Sequence, residues 1–231
     1  MDIVITYGTV RTTFDEIKEQ IANQFYYAYY SALPTDSLIE DDNHHGVPRM
    51  NEVFYSMFIR HNHIPSWTAF LDEYKRRWCY YVGHDGEMGW KSPLPRYNYR
   101  FQEAALDKKL IRAYMSFLKE VYVLFWFYHI GMTDAYWSLS NDMSGYDIVM
   151  PNAFGRIYGI KIYSNTANAR RFARIKTTSR NHLLQGSTSV SIQAPIGRNG
   201  LRLGDTYLFT DKLLLGVYNY IMNNIRRDII I

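Results

Sequence analysis

From Gln102 to Ile130 the chain contains neither proline nor glycine, and Gly131 follows directly. Proline and glycine are the residues that most often interrupt a helix, and a glycine just past the last turn can take the left-handed conformation that ends one. The stretch therefore predicts a single long helix closed at Gly131. Its most apolar part, Val121 to Ile130, is about ten residues long and carries His129, too short to span a bilayer, so it reads as a core helix.

Upstream of this helix the texture is also helical. Thr13-Phe14-Asp15-Glu16 fits a capping box, and Phe14, Ile17, Ile21, Phe25 and Ala28 then recur at helical spacing. Pro34 and the polar segment from Asp36 to Gly46 predict a loop. A second helix follows Pro48, with Met50, Val53, Phe54, Met57 and Phe58 on one face. Pro65 breaks the chain, and Ser66 can cap a third helix running to about Tyr81. Gly83, Gly86, Gly89, Pro93 and Pro95 then mark a long loop.

Downstream of Gly131 the texture changes to strand. Ala135–Ser140, Tyr146–Met150 and Ile157–Tyr163 read as three strands, with a turn at Asn152 to Gly155. Thr166 to Arg180 returns to helix. Ser187–Ala194 alternates around Val190 and Ile192 as a half-buried strand, Tyr207–Thr210 is a short strand, and Asp211 is placed to cap a last helix. The fold class expected is mixed α/β: a central mixed sheet flanked by helices in residues 101–231, preceded by a helical region in residues 1–100 that supplies specificity or an oligomer surface.

Hydrophobic residues make up 47% and charged residues 21%, enough for a sizeable core. The 21 tyrosines suit half-buried packing, or alternatively stacking platforms for bases. The single cysteine, Cys79, excludes an intramolecular disulfide and a multi-cysteine zinc site. The N-terminal Met1-Asp2-Ile3-Val4 lacks the basic and apolar regions of a signal peptide, so a cytoplasmic chain without a membrane span is expected.

The net charge of +4 permits a polyanionic partner. The local distribution is more biased. Arg156, Lys161, Arg170, Arg171, Arg174, Lys176 and Arg180 follow one another with no Asp or Glu between them. Such a run fits either a phosphate-facing surface or a solvated helix face. Thr177, Thr178 and Ser179 add hydroxyl donors, and Arg198 lies in a glycine-containing loop that could also reach a phosphate.

Across the turn at Asn152, Asp147 on one strand and Lys161 on the next can face the same side of a sheet. A carboxylate that holds a divalent cation and a lysine that steadies developing charge suit phosphodiester hydrolysis. This pair resembles the PD-(D/E)xK, or restriction-endonuclease-like, nuclease superfamily. The resemblance covers roughly Gln102 to Tyr220 and rests on the helix–three-strand–helix–strand order and on Asp147 followed by Gly159-Ile160-Lys161. It implies a magnesium-dependent endonuclease acting on DNA, with Asp147 as metal ligand and Lys161 as catalytic lysine, and a homodimer where both strands are cut.

The sequence departs from the motif at Gly159, where the family carries an acid. Either a second carboxylate has moved into the site, with Glu103, Glu120 and Asp142 as candidates, or the core is retained for binding nucleic acid or another protein without catalysis. A third reading takes the histidines His44, His45, His61, His63 and His84 as ligands of a transition metal. Loop and helix-end positions account for the same histidines without a metal.

Overall fold

A computed structural model of the chain describes residues 2–5, 8–35, 48–82, 99–137, 146–151, 157–164, 188–194 and 200–229. The described elements are β1 (Asp2–Ile5), β2 (Gly8–Arg11), α1 (Phe14–Ala22), α2 (Tyr27–Ala32), α3 (Met50–His61), α4 (Trp67–Val82), α5 (Tyr99–His129), β3 (Ile148–Pro151), β4 (Ile157–Ser164), β5 (Thr188–Ala194), β6 (Leu201–Leu203), β7 (Thr206–Leu208) and α6 (Asp211–Ile229). The mixed α/β class is as expected.

α5 is the axis of the fold. Every residue from Val121 to Tyr128 is buried, with Tyr128 the most exposed at 5%. A helix apolar all round must be enclosed on all sides. Here α1, α3 and α4 pack against α5, and so do β4 and β7. The apolar residues of both the helical region and the strand region belong to one buried cluster. The helix ends as expected, with Gly131 at φ 90°.

The capping box at Thr13 forms. Its hydroxyl accepts from the Glu16 backbone N–H at 3.2 Å, while the Glu16 carboxylate accepts from the Thr13 N–H at 2.6 Å. Ser66 accepts from the Ala69 N–H at 3.2 Å and so opens α4.

Four local readings are corrected. The N-terminal residues, read as part of a helical half, form the antiparallel hairpin β1–β2. The first helix does not continue through Phe25. It stops at Ala22, and Phe25 is exposed while Ile17 and Ile21 are buried. The reason lies far along the chain. The strand expected at Tyr207 is β7, and an unforeseen partner, β6, makes it a hairpin turning at Gly204-Asp205, where the Asp205 carboxylate accepts from the backbone N–H of Tyr26 at 2.8 Å and of Tyr27 at 2.7 Å. This carboxylate restarts the helix as α2. Finally, Thr210 rather than Asp211 caps α6, its hydroxyl accepting from the Leu213 N–H at 3.4 Å, and Asp211 accepts instead from the Trp126 indole N–H at 3.1 Å.

Three buried tyrosines make the fold sensitive to alkali. Burial pushes Tyr26 up to about 12, reinforced by the charge of Asp205, although the Thr206 hydroxyl bond pulls the other way. Burial also pushes Tyr122 up to about 12 and Tyr114 well above its usual range. The folded state thus holds these phenol protons after the unfolded chain would release them, near its ordinary value of 10.0. Their contribution is whole below about pH 10 and falls as pH rises toward 12. Helical circular dichroism is expected to collapse in that window together with a late rise in tyrosinate absorbance. Tyrosines that all ionise near pH 10 in a still-folded protein would contradict this.

Candidate functional site

β3 and β4 pair antiparallel, with Ile148 opposite Ile160 and Val149 opposite Gly159. β4 and β5 pair parallel, with Lys161 opposite Ser191. On the other side of β3, Tyr136 bridges Val149 in antiparallel sense. The strand order is therefore the 136 bridge, β3, β4, β5. The helix expected over Thr166 to Arg180 lies outside the described residues, as do Arg170, Arg171, Arg174, Lys176, Arg180, Arg198 and Asp142.

The ladder ends at Ile148 opposite Ile160, and Asp147 lies one residue before β3, beside β4. Asp147 donates its backbone N–H to the Ile160 carbonyl at 2.9 Å, and its side-chain Oδ2 accepts from the Ile162 N–H. The carboxylate closes the end of the β3–β4 ladder.

Successive strand residues point to opposite faces. Tyr158, Ile160 and Ile162 therefore turn one way, all buried, and Gly159 and Lys161 the other. Tyr146 covers that second face. A Cβ at Gly159 would overlap the Tyr146 ring, and the Lys161 ammonium stands over the same ring, 4.9 Å from its centroid. Lys161 is 7% exposed, so its charge is held against an aromatic face inside the protein. Where the nuclease motif requires a carboxylate on this face, the chain has a bare backbone under a buried phenol.

Of the proposed substitute acids, Glu103 and Glu120 lie among the described residues, and each has a partner on α3 or α4. Glu120 is buried on α5 and accepts from the Tyr55 hydroxyl at 2.9 Å. The Tyr55 ring stacks on Trp137 with centroids 3.7 Å apart. Glu103 is seventeen residues earlier on the same helix, roughly 25 Å at the helical rise. It pairs with Lys75 of α4 at 3.0 Å, and Lys75 also meets Asp107 at 2.6 Å. Burial opposes the charge of Lys75, yet the bond to Asp107 and the neighbouring carboxylates raise its pKa overall. This cluster, with the Tyr29 hydroxyl donating to Asp107 at 2.9 Å, is a tie between α2, α4 and α5 that sequence reasoning did not foresee.

At the position where the family resemblance implies a second acid, Gly159 brings no carboxylate. Among the described residues no group of three or more His, Cys, Asp or Glu is placed to hold a metal ion. Of the histidines, His44, His45 and His84 lie outside the described residues. His61 and His63 line a polar cleft of about 480 Å³ together with Arg11, Glu16 and Glu19. His63 donates its Nδ1–H to the Ile64 carbonyl at 2.6 Å. A second cleft of about 730 Å³ lies between β5 and α6, lined by Val190, Leu213, Gly216, Val217 and Tyr220 among others.

Among the described residues no helix is long and apolar enough to cross a membrane. The fold is a mixed α/β architecture with a three-stranded mixed sheet. Compared with protein-family models, curated proteins and solved structures, the chain finds no match in any of the three.

Proposed function

We propose that this chain is a non-catalytic nucleic-acid-binding protein on a restriction-endonuclease-like core, acting inside a cell. The carrying observation is the Tyr146 ring lying on Gly159 and under Lys161. The strand order around Asp147 and Lys161 supports the core. The aromatic cover over Gly159 supports the loss of hydrolysis, because a second metal-holding carboxylate has neither a side chain nor room there. Nucleic acid as the partner is supported by the acid-free basic run from Arg156 to Arg180, whose cations would release counterions from the phosphate backbone.

The rival reading, a magnesium-dependent deoxyribonuclease working as a homodimer, is favoured by the bonds that hold Asp147 beside β4, the strand that carries Lys161. One experiment separates them. Supercoiled plasmid is incubated with the protein and magnesium or manganese, and the same mixtures are run for mobility shift at increasing salt. Wild type, Asp147→Ala and Lys161→Ala are expected to shift the plasmid alike and to leave it uncut. Replacing Arg170, Arg171 and Arg174 together by alanine is expected to weaken the shift by roughly tenfold or more at moderate salt. Metal-dependent nicking by wild type that disappears in Asp147→Ala and Lys161→Ala would overturn the proposal and establish the enzyme.

A further inference from the structure

Among the described residues, four exposed aromatic side chains lie on α2, on the turn before it, or on the β6–β7 hairpin that holds it. Phe25 is 67% exposed, Tyr27 62%, Tyr29 41% and Tyr207 39%. α2 contains no buried residue at all. A six-residue helix cannot hold itself in water, and this one is held by bonds to the rest of the fold. Asp205 binds its first N–H groups, and Tyr29 is tied to Asp107. The Tyr29 ring lies 5.1 Å from that of Trp67, whose indole N–H donates to the Phe25 carbonyl at 3.1 Å. The Tyr29 ring is thus fixed in position, and the backbone that carries the exposed Phe25 and Tyr27 side chains is held. Exposed aromatic groups gathered on an ordered scaffold mark an interaction surface.

The charges beside them are sorted by sign. Arg202 and Tyr207 sit directly opposite each other in the β6–β7 register, with the guanidinium 5.8 Å from the ring centroid. The Arg202 side chain is 60% exposed and that of Asp205 13%, the two being 3.5 Å apart. Asp205 turns inward to the N–H groups of Tyr26 and Tyr27, while Arg202 is braced by the Gly204 carbonyl at 3.0 Å. At this hairpin the cation faces solvent and the anion faces the backbone. The surface therefore offers planar rings beside a positive charge.

We propose that the surface formed by Phe25, Tyr27, Tyr207 and Arg202 binds single-stranded nucleic acid, its bases stacking on the rings and a phosphate meeting Arg202. The ligand must supply unsatisfied planar faces and negative charge together. Unpaired nucleotides do so, whereas in a duplex each base face is already covered by its neighbour. The proposal rests on the nucleic-acid reading above and adds a second surface, distinct from the sheet position of Asp147 and Lys161, with its own strand preference.

The test is fluorescence anisotropy with labelled oligothymidine, compared with a duplex hairpin of matched length. The proteins are wild type, Phe25→Ala/Tyr27→Ala, Tyr207→Ala and Arg202→Gln, each also measured for thermal midpoint and for mass in solution. Each aromatic replacement is expected to weaken oligothymidine binding by roughly 5- to 150-fold per stacked base lost. Arg202→Gln is expected to flatten the salt dependence by about one phosphate contact. Duplex binding and the thermal midpoint should stay near wild type, since the altered side chains are exposed. Oligothymidine affinity unchanged in all three variants, with duplex binding intact, would overturn this inference alone. A wild-type dimer that becomes monomeric in the aromatic variants, with no single-strand binding in either, would also overturn it and assign the surface to contact between copies. Binding of neither probe by wild type would remove the nucleic-acid reading itself.

Discussion

Phe54→Ala is expected to lower stability by about 3–5 kcal/mol, the cost of truncating a fully buried aromatic to alanine. Phe54 is completely buried on α3. Its ring stands 5.0 Å from Phe117, 5.7 Å from Tyr114, 6.0 Å from Phe70 and 5.2 Å from Tyr55, measured between centroids. These partners belong to α3, α4 and α5, so one ring joins three helices. Aromatic neighbours are stiff, and two are held by their own hydroxyl bonds, Tyr114 to the Pro65 carbonyl at 2.6 Å and Tyr55 to Glu120 at 2.9 Å. They cannot relax into the space left by the ring, which places the loss toward the upper end of the range. Urea denaturation measures it, as a fall in midpoint at unchanged slope. Phe54→Leu should cost less, because it keeps most of the volume. A loss below about 1 kcal/mol for Phe54→Ala would mean that α3 does not pack on α5 as described.

Gly204→Ala is expected to lower stability by roughly 3 kcal/mol, from two causes that can be separated. Gly204 has φ 55°, which costs a non-glycine residue about 1 kcal/mol. An added Cβ would also lie 2.7 Å from the carbonyl oxygens of both Ala22 and Gln24 and 3.0 Å from that of Ile21. These are backbone atoms at the end of α1 and cannot swing away. The hairpin would have to lift off the α1–α2 junction, loosening the Asp205 bonds to Tyr26 and Tyr27. Asparagine tolerates the left-handed conformation but carries the same Cβ. Gly204→Asn should therefore destabilise nearly as much as Gly204→Ala if the contact dominates, and far less if only the backbone angle matters. Thermal melts of the two variants beside Asp205→Ala decide it. Asp205→Ala alone is expected to cost about 1–2 kcal/mol, as the loss of a helix-capping carboxylate.

The site followed a similar division. That Gly159 stands where an acid would be needed is plain from the residues. What replaces the acid is not, because Tyr146 is thirteen positions away and meets Gly159 only through the antiparallel register of β3 and β4. Asp147 was recognised as a candidate ligand, but its bond to the Ile162 N–H depends on the same register. Glu103 and Glu120 were reasonable substitutes by sequence order. Only the packing of α5 shows that one faces Lys75 and the other Tyr55.

Most of the helices were legible in the residues because their signals are local. A capping box at Thr13, a cap at Ser66 and a stop at Gly131 each act within one or two turns, and all three operate as read, whereas α3 ends before Pro65, at Asn62 in the left-handed conformation. The strands β3, β4 and β5 were legible too, since apolar runs bounded by turn residues carry their own period. The strand at Tyr207 was legible as well, but β1, β2 and β6 were not, because three or four residues are too few to display a period. The break between α1 and α2 was hidden for a different reason. Phe25 continues the apolar spacing of α1 without a flaw, and local propensity alone would carry the helix through it. The helix stops because a carboxylate and a glycine about 180 residues later in the chain arrive at its end and satisfy different hydrogen bonds. Local chemistry chooses what a segment can become; contacts brought in from distant sequence decide where it ends and which side chains are left facing water.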